Sequence, residues 1–444
     1  METILLRAIQ LLLCLSILCI VHEGGHFFFA RLFKTRVEKF CIFFDPWFTL
    51  FRFKPKNSET EYAIGWLPAG AYVKIAGMID ESMDTEQMKQ PEQPWEFRSK
   101  KAWQRLLIMV GGVLFNLVFA IFLYASILFT WGDQYVDVKK APLGMEFNHT
   151  AQEIGFKNGD ILLAADNKEF TRYDAKLLMD VVDAKEVTVL REGQKQTIQI
   201  PEDMMDRLME DDTRFASFRM PYVIDSITPA SPAFQAGLQP GDSITALDGK
   251  TISFYDFIDD MQQRREAEDA VHTITLTYFR NGTCADVAIT TDSLFKIGVK
   301  PLVDTEKLLP ITYIEYNMLS AIPAGIQLAL STLGNYIGQM KYLFSKQGAK
   351  HIGGFGTIAT LFPAQWDWHQ FWSMTAFISI ILAFMNIIPI PALDGGHVLF
   401  LLYEVVSRRK PSEKFMERAQ VTGMLLLFAL LIWANLNDIL RLVF

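Results

Sequence analysis

An apolar run near the N-terminus leads directly into two histidines and a glutamate, and this combination restricts the possible folds more than any other feature. The run covers residues 4–20 and, with its flanks, is long enough to cross a bilayer. His22 and His26 are four residues apart, so on a helix both imidazoles lie on one face and can chelate one metal ion. Ionisable groups inside a span cost about 2.5–3.5 kcal/mol each. A pair of ordinary surface histidines is therefore the weaker interpretation.

A second apolar run supplies a third candidate ligand, Asp394. The run covers residues 371–403 and is interrupted at 386–396 by two prolines and two glycines, which would break a helix. Broken backbone at membrane depth is tolerated mainly where it is buried in protein or lines a wet cavity. A catalytic zinc site needs three protein ligands and one open position. Asp394 and the two histidines would form such a set. The alternative is a proline-kinked span whose aspartate is satisfied elsewhere.

The two motifs together carry a family resemblance. H-E-G-G-H in a first span and N-x-x-P-x-P-x-L-D-G in a late span resemble the site-2 protease family of intramembrane zinc metalloproteases. The resemblance covers nearly the whole chain and implies that Zn²⁺ is held by His22, His26 and Asp394. Glu23, next to the first histidine, is then the general base that acts on water at the metal. His397 is a rival ligand, but the family motif places the ligand at Asp394.

A short β-rich stretch follows the first span. Residues 62–75 are predicted to form apolar β segments around turns, too short and too broken to span a membrane. In the resembling family this region is a membrane-reentrant sheet beside the active site. An exposed strand edge would hold an unwound substrate by strand addition, with Tyr72 and Val73 as candidate contacts. Asn386 is a further candidate for hydrogen bonding the substrate backbone. An ordinary structural hairpin is the alternative.

Composition indicates a membrane protein with soluble parts. Of the 444 residues, 50% are hydrophobic and 21% are charged, and the net charge of -8 argues against nucleic acid as a partner. Four spans are predicted, at residues 4–29, 106–129, 371–403 with its break, and 421–443. Basic clusters follow the first span, precede the second and separate the last two. The positive-inside rule places them in the cytoplasm, with both termini and the region between spans two and three outside.

The middle region is soluble in character and contains two similar units. Both carry the pattern A-x-x-x-G-(hydrophobe)-x-x-G-D, once from Ala151 and more clearly from Ala233. The pattern resembles the bacterial PDZ fold, a short helix ended by glycine, then a turn and a strand. PDZ domains bind extended peptides by β-augmentation, although either unit is equally interpretable as a spacer or as a filter that shades the entrance.

The expected fold is a multi-span α-helical membrane protein with a membrane-reentrant β segment and two inserted PDZ-like α/β domains. Residues 312–344 are expected to form amphipathic helices on the outer membrane surface, because a fifth span would move the C-terminal basic cluster outside. Gly334 and Gly338 are candidates for a helix-packing face. The predicted domains are an N-terminal membrane core (1–135), two PDZ-like domains (136–220 and 221–303), outer helices and a loop (304–365), and a C-terminal membrane core (366–444).

The resemblance implies an intramembrane zinc endopeptidase of the bacterial inner membrane, a multi-pass protein in the lipid bilayer. Its site would lie toward the cytoplasmic side and its PDZ-like domains outside. The implied substrates are single-span membrane proteins, such as anti-sigma-type regulators or remnant signal peptides. The competing interpretation is a membrane-tethered PDZ scaffold with a structural zinc, which would need four protein ligands. Cys14 and Cys19 lie too far up the helix to join His22 and His26 readily.

Overall fold

The computed structural model describes residues 2–78, 90–211, 213–266, 273–292, 295–343, 345–409 and 411–443. The α-helices are α1 (Glu2–Leu32), α2 (Ala102–Trp131), α3 (His149–Ile154), α4 (Ala175–Val182), α5 (Met204–Asp211), α6 (Pro232–Gln235), α7 (Phe254–Glu266), α8 (Thr305–Leu308), α9 (Met318–Leu343), α10 (Lys346–His351), α11 (Phe355–Thr360), α12 (Trp368–Ile387), α13 (Asp394–Ser407) and α14 (Glu413–Val443). The strands are β1 (Val37–Phe53), β2 (Glu61–Ile75), β3 (Asp133–Val136), β4 (Met145–Phe147), β5 (Ile161–Ala165), β6 (Lys168–Glu169), β7 (Glu186–Arg191), β8 (Gln194–Gln199), β9 (Ala216–Phe218), β10 (Tyr222–Ile227), β11 (Ser243–Leu247), β12 (Lys250–Thr251), β13 (Thr273–Arg280), β14 (Thr283–Thr290), β15 (Val299–Pro301) and β16 (Ile311–Ile314).

The chain divides into two compact units, a helical unit and an inserted unit. The helical unit comprises Met1–Gly132, Glu315–Phe344 and Gly348–Phe444, and the inserted unit comprises Asp133–Ile314 and Ser345–Gln347. Within the described residues, four helices are long and apolar enough to cross a membrane, namely α1, α2, α12 and most of α14. The prediction of four spans is confirmed at this level. The third predicted span ends at its break, because α12 stops before the two prolines and α13 starts after them.

Helices α1 and α2 are in backbone contact at a pair of glycines. A Cβ atom on Gly25 would overlap the carbonyl oxygen of Gly111, and one on Gly111 would lie 2.7 Å from the carbonyl oxygen of Gly25. On α2, directly after Gly111, a Cβ on Gly112 would lie 2.5 Å from the His22 ring and 2.6 Å from Nε2 of His26. The missing side chains therefore let the face of α1 that carries both histidines press directly onto α2.

Strands β1 and β2 form a strongly bent sheet in the helical unit. Residues 37–42 pair on one side with 71–75 and on the other with 61–64, and 62–65 also pair with 49–53. The sheet thus has four segments, with 71–75 at one edge and 49–53 at the other. Both Phe43 and Trp47 have positive φ, where β1 bends. The predicted β segments are present, whereas their depth in the membrane stays a prediction.

The bend of β1 is held by a polar cluster around Asp45. Its carboxylate accepts hydrogen bonds from Lys39 Nζ and Thr49 Oγ1, both at 2.5 Å, and from the Tyr72 hydroxyl at 2.8 Å. Lys39 and Tyr72 belong to the first half of β1 and to the edge segment 71–75. A partly buried carboxylate with three donors is well satisfied. The cluster therefore ties the bend to the edge segment.

Helix α9 covers most of residues 312–344, for which helices on the outer membrane surface are predicted; its position relative to the membrane stays a prediction. It packs lengthwise against α2 and α12, with Ala329 fully buried between them and the Tyr336 ring 5.7 Å from that of Phe384. A Cβ on Gly325 would lie 2.6 Å from the backbone nitrogen of Ala125. The predicted packing glycines were wrong: a Cβ on Gly334 or Gly338 meets no described atom within 4 Å. Small residues one turn or more earlier in the helix make the close approach instead.

The inserted unit contains two lobes with equivalent cores. The first has a sheet in the order β6-β5-β7-β8, and the second has β14-β13-β11-β10-β15 with β12 beside β11. Asp160 of the first lobe pairs with Arg191 Nη2 at 2.7 Å, and Asp242 of the second pairs with Arg280 Nη2 at 2.5 Å. Each arginine also donates to the carbonyl of the glycine that ends the short helix. The repeated sequence pattern thus corresponds to a repeated structural unit.

Arg219 links the two lobes electrostatically. Its Nε lies 3.5 Å from the carboxylate of Glu146 on β4, and its Nη2 donates to Asp256 on α7 and to Ser253 Oγ at 2.9 Å. Burial raises the pKa of Glu146 to about 7, against the opposing effect of Arg219 and with added repulsion from Asp256 and Asp259. The charged form of Glu146 is therefore disfavoured by its surroundings, even though a guanidinium group lies beside it.

The glycine contact between α1 and α2 gives a direct test of the packing. Gly25→Ala should lower the free energy of unfolding by about 1–3 kcal/mol, because the new methyl group overlaps backbone that cannot yield. Gly24→Ala is the matched control, since a Cβ there meets no described atom within 4 Å. Thermal unfolding of the detergent-solubilised protein measures both. Equal midpoints for the two variants would refute the backbone contact.

Candidate metal centre

Three side chains from opposite ends of the chain meet at one point. Nε2 of His22 lies 3.0 Å from Oδ2 of Asp394, and Nε2 of His26 lies 3.2 Å from the same oxygen. The two Nε2 atoms are themselves 3.2 Å apart. A tetrahedral zinc ion with bonds of about 2.0–2.1 Å separates its ligand atoms by about 3.3 Å. The three donor atoms therefore fit one face of a zinc coordination tetrahedron.

The ring orientations of both histidines are set by α2. Nδ1 of His26 lies 2.8 Å from the carbonyl oxygen of Ile108, so that nitrogen carries the hydrogen and donates it. Nδ1 of His22 lies 3.3 Å from the Asn116 amide, whose buried Oδ1 has no hydrogen-bond partner among the described residues. Interchanging the amide nitrogen and oxygen of Asn116 lets Nδ1 of His22 donate to Oδ1. Both Nε2 atoms then keep a free lone pair for a metal.

Asp394 is positioned by a tightly packed turn. It is the first residue of α13, directly after the proline-containing break, and Ala392 within this break has a φ of 77°. A Cβ on Gly396 would lie 2.7 Å from Cα of Pro391, and one on Gly423 of α14 would overlap the Pro391 carbonyl. The glycines therefore let α13 and α14 close around the turn, which fixes the direction of the aspartate.

A cavity of about 360 Å³ opens onto two of the three side chains, those of His26 and Asp394. Its lining includes Glu23, the edge residues Tyr72 and Val73, and His397. In the described part of the chain, no strand pairs with the outer edge of 71–75. The cavity thus places the Glu23 carboxylate and an unpaired strand edge beside the same candidate metal cluster.

The structure brings the three predicted zinc ligands together and leaves His397 and Asn386 outside their cluster. His22, His26 and Asp394 form the one cluster of metal-binding type found among the described residues. His397 lies outside it, with Nε2 3.5 Å from Nε2 of Gln420. Asn386 is half-buried near the end of α12 and is not among the described residues that line the cavity.

Gly112, Asn116 and Ile108 of α2 are not among the residues that the sequence predicts for the site. The structure brings all three against the two histidine rings. The available signal was the four-residue spacing of Gly112 and Asn116 on one face of an apolar helix, together with the cost of a polar amide there. The backbone carbonyl of Ile108 carries no sequence signal at all.

Fold and site together define a multi-span membrane protein with a catalytic-type metal centre. The model of Peptidase family M50 matches residues 10–430, and the chain belongs to this family. The predicted membership of the site-2 protease family, the zinc cofactor and the classification as a membrane zinc metallopeptidase are thereby confirmed.

Similar proteins extend over the full length of this chain. The Regulator of sigma E protease of Haemophilus influenzae is 27% identical, over 97% of this chain and 98% of that protein. The Regulator of sigma-E protease RseP of Escherichia coli is 28% identical, over 97% and 98% respectively. A Xylella fastidiosa protein with the provisional name zinc metalloprotease is 28% identical over 96% of each chain.

Proposed function

We propose that this protein is an intramembrane endopeptidase that cleaves transmembrane segments of single-span membrane proteins. The observation that carries the proposal is the three-residue cluster of His22, His26 and Asp394, which opens onto a cavity with Glu23 and a free strand edge. A structural zinc in a tethered scaffold would be closed by a fourth protein ligand. The cluster has three within the described residues, and this favours the enzyme.

Each residue at the centre has a distinct role in the proposed reaction. The Nε2 atoms of His22 and His26 and a carboxylate oxygen of Asp394 would hold the zinc ion. When bound, zinc would supply a Lewis acid for the scissile carbonyl and lower the pKa of water. The Glu23 carboxylate takes a proton from the attacking water and passes it to the leaving amine. Two neutral imidazoles and one carboxylate keep the net charge small, which suits a site of low dielectric constant.

The edge segment 71–75 is proposed to bind the substrate. A transmembrane helix cannot be cut while its carbonyls are hydrogen-bonded within the helix, so the segment must be unwound and its backbone paired again. Strand addition to residues 71–75 would supply that pairing, with the backbone of Tyr72 and Val73 beside the zinc ligands. A substrate contact by Asn386 stays a prediction, because this residue does not line the described cavity.

The proposed chemistry is tested by separating metal binding from cleavage. Glu23→Gln should retain zinc and lose cleavage by at least about 10²-fold, because it removes the base and no ligand. His22→Ala, His26→Ala and Asp394→Ala should lose both. Zinc content by mass spectrometry and cleavage of a reporter helix in proteoliposomes are the measurements. The assignment fails if Glu23→Gln loses zinc while folded, or if His397→Ala releases zinc and Asp394→Ala does not.

Proline substitution tests the strand edge. Adjacent amides of an edge strand alternate between its partner and the free side, so either Tyr72→Pro or Val73→Pro removes an outward donor. Of these two variants, the one whose amide points to the free side should lose at least about tenfold in cleavage and keep zinc, since proline removes a ladder donor. Phe51→Pro is the matched control at the opposite edge of the same sheet. Comparable loss in the control would show that the sheet as a whole, rather than edge 71–75, is required.

The inserted unit is proposed to lie outside the cytoplasm and to restrict access to the site. The basic clusters support a position of the proposed zinc ligands toward the cytoplasmic side of the inner membrane. The two lobes, interpreted as PDZ-like domains, would admit substrates with short outer segments or recruit extended peptide ends. Strand β3 pairs with β16, Val136 opposite Ile311, so the two chain ends of the unit lie side by side.

That pairing makes a clean deletion feasible. Replacing residues 137–310 by a short flexible linker should leave zinc binding intact and permit cleavage of substrates with bulky outer domains. The comparison is one substrate, with and without its outer domain, cleaved by both enzymes. Continued rejection of the bulky form contradicts the filter. Loss of cleavage of the short form, with zinc retained, would instead assign the unit to recruitment.

A further inference from the structure

An ion pair links α2 to α13 at a distance from the metal centre. Nη2 of Arg105 lies 2.6 Å from Oε1 of Glu404, and the side chains are only 9% and 15% exposed. Nε of Arg105 also donates to the carbonyl oxygen of Lys100 at 3.1 Å. Burying two charges costs several kcal/mol per ion, and their mutual attraction often does no more than offset this cost. A buried ion pair therefore need not increase the stability of the fold. Another role should explain its presence.

Arg105 lies on the face of α2 that orients the histidines. That face continues through Ile108, whose carbonyl binds His26, to Gly112, which touches both rings, and Asn116, which binds His22. The spacing of three, four and four residues keeps these positions in one line along the helix. One side of α2 therefore contacts and orients two of the three proposed zinc ligands, His22 and His26.

Glu404 lies on the face of α13 that starts with the third ligand. From Asp394 this face runs through Val398 and Leu401 to Glu404. Val398 and Leu401 pack in the same apolar cluster as Ile108 and Met109 of α2. Apolar packing of this kind is non-directional, whereas a charged hydrogen bond depends on the orientation of both groups. The ion pair is the directional contact at the end of this interface.

We propose that the Arg105–Glu404 pair sets the axial register of α13 on α2 and so holds Asp394 level with the two histidines. Ten residues separate Glu404 from Asp394, or about 15 Å of helix. Slippage by one turn would displace the aspartate by about 5.4 Å, more than twice a zinc–oxygen bond. Arg105 and Glu404 are thus positioning residues. This inference rests on the proposed zinc ligands.

Zinc release into a chelator tests the effect on the metal. Arg105→Gln and Glu404→Gln should each speed release by about tenfold, as is typical for residues that orient metal ligands indirectly. The swap of Arg105→Glu with Glu404→Arg should return release toward the wild-type rate. Arg98→Gln is the control, since it breaks the nearby Arg98–Glu96 pair at 2.5 Å, which involves no residue of α13. Wild-type release in both single variants, or a swap no better than they are, overturns the proposal.

A distance measured in the metal-free protein distinguishes failure of this inference from failure of the proposed function. Spin labels at Val118→Cys on α2 and Val406→Cys on α13, both exposed, report the register after Cys19 and Cys284 are replaced by serine. The distance distribution should be narrow in this parent, shifted or broadened by Arg105→Gln, and restored by the swap. An unchanged distribution overturns the register role. If the parent protein binds no zinc but shows these shifts, the register role stands and only the proposed function is contradicted.

Discussion

The arrangement of the helical unit depends on the backbone contact between α1 and α2. Gly25 and Gly111 allow the two helices to approach until their backbones touch, and Gly112 leaves room for both histidine rings. In a bilayer the hydrophobic effect does not drive helices together, so close packing and buried polar contacts must do so. The glycines therefore determine that α2, rather than lipid, forms the environment of the two histidines.

Helix α2 then acts as the common frame of the site. It orients His22 and His26 through Asn116 and the Ile108 carbonyl, and α12 is attached to it by a hydrogen bond from Ser379 Oγ to the carbonyl oxygen of Asn116 at 2.8 Å. Polar groups are costly at membrane depth unless they are paired. Here the buried polar groups of neighbouring helices form hydrogen bonds with one another. The same contacts that satisfy them also align the metal-binding atoms.

The bent sheet supplies what the helices cannot. A helix in lipid has all its backbone groups paired internally and offers no edge to a substrate. The bends at Phe43 and Trp47 and the cluster at Asp45 turn the ribbon so that segment 71–75 presents its free side to the cavity. The proposed chemistry and the proposed substrate pairing would thus come from helices and from the sheet respectively, which meet at one cavity.

The sequence by itself determined the four apolar helices, the internal repeat and the three candidate metal ligands, because hydrophobic length, motif spacing and the cost of charges in lipid are local properties. Only the tertiary structure decided that α9 lies along α2 and α12, that Gly325 makes the close contact, and that Ile108 and Asn116 orient the histidines. These depend on which faces meet across 82 to 94 residues of chain in the case of the histidines. A backbone carbonyl or a missing side chain is recognised as functional only when its partner is in place.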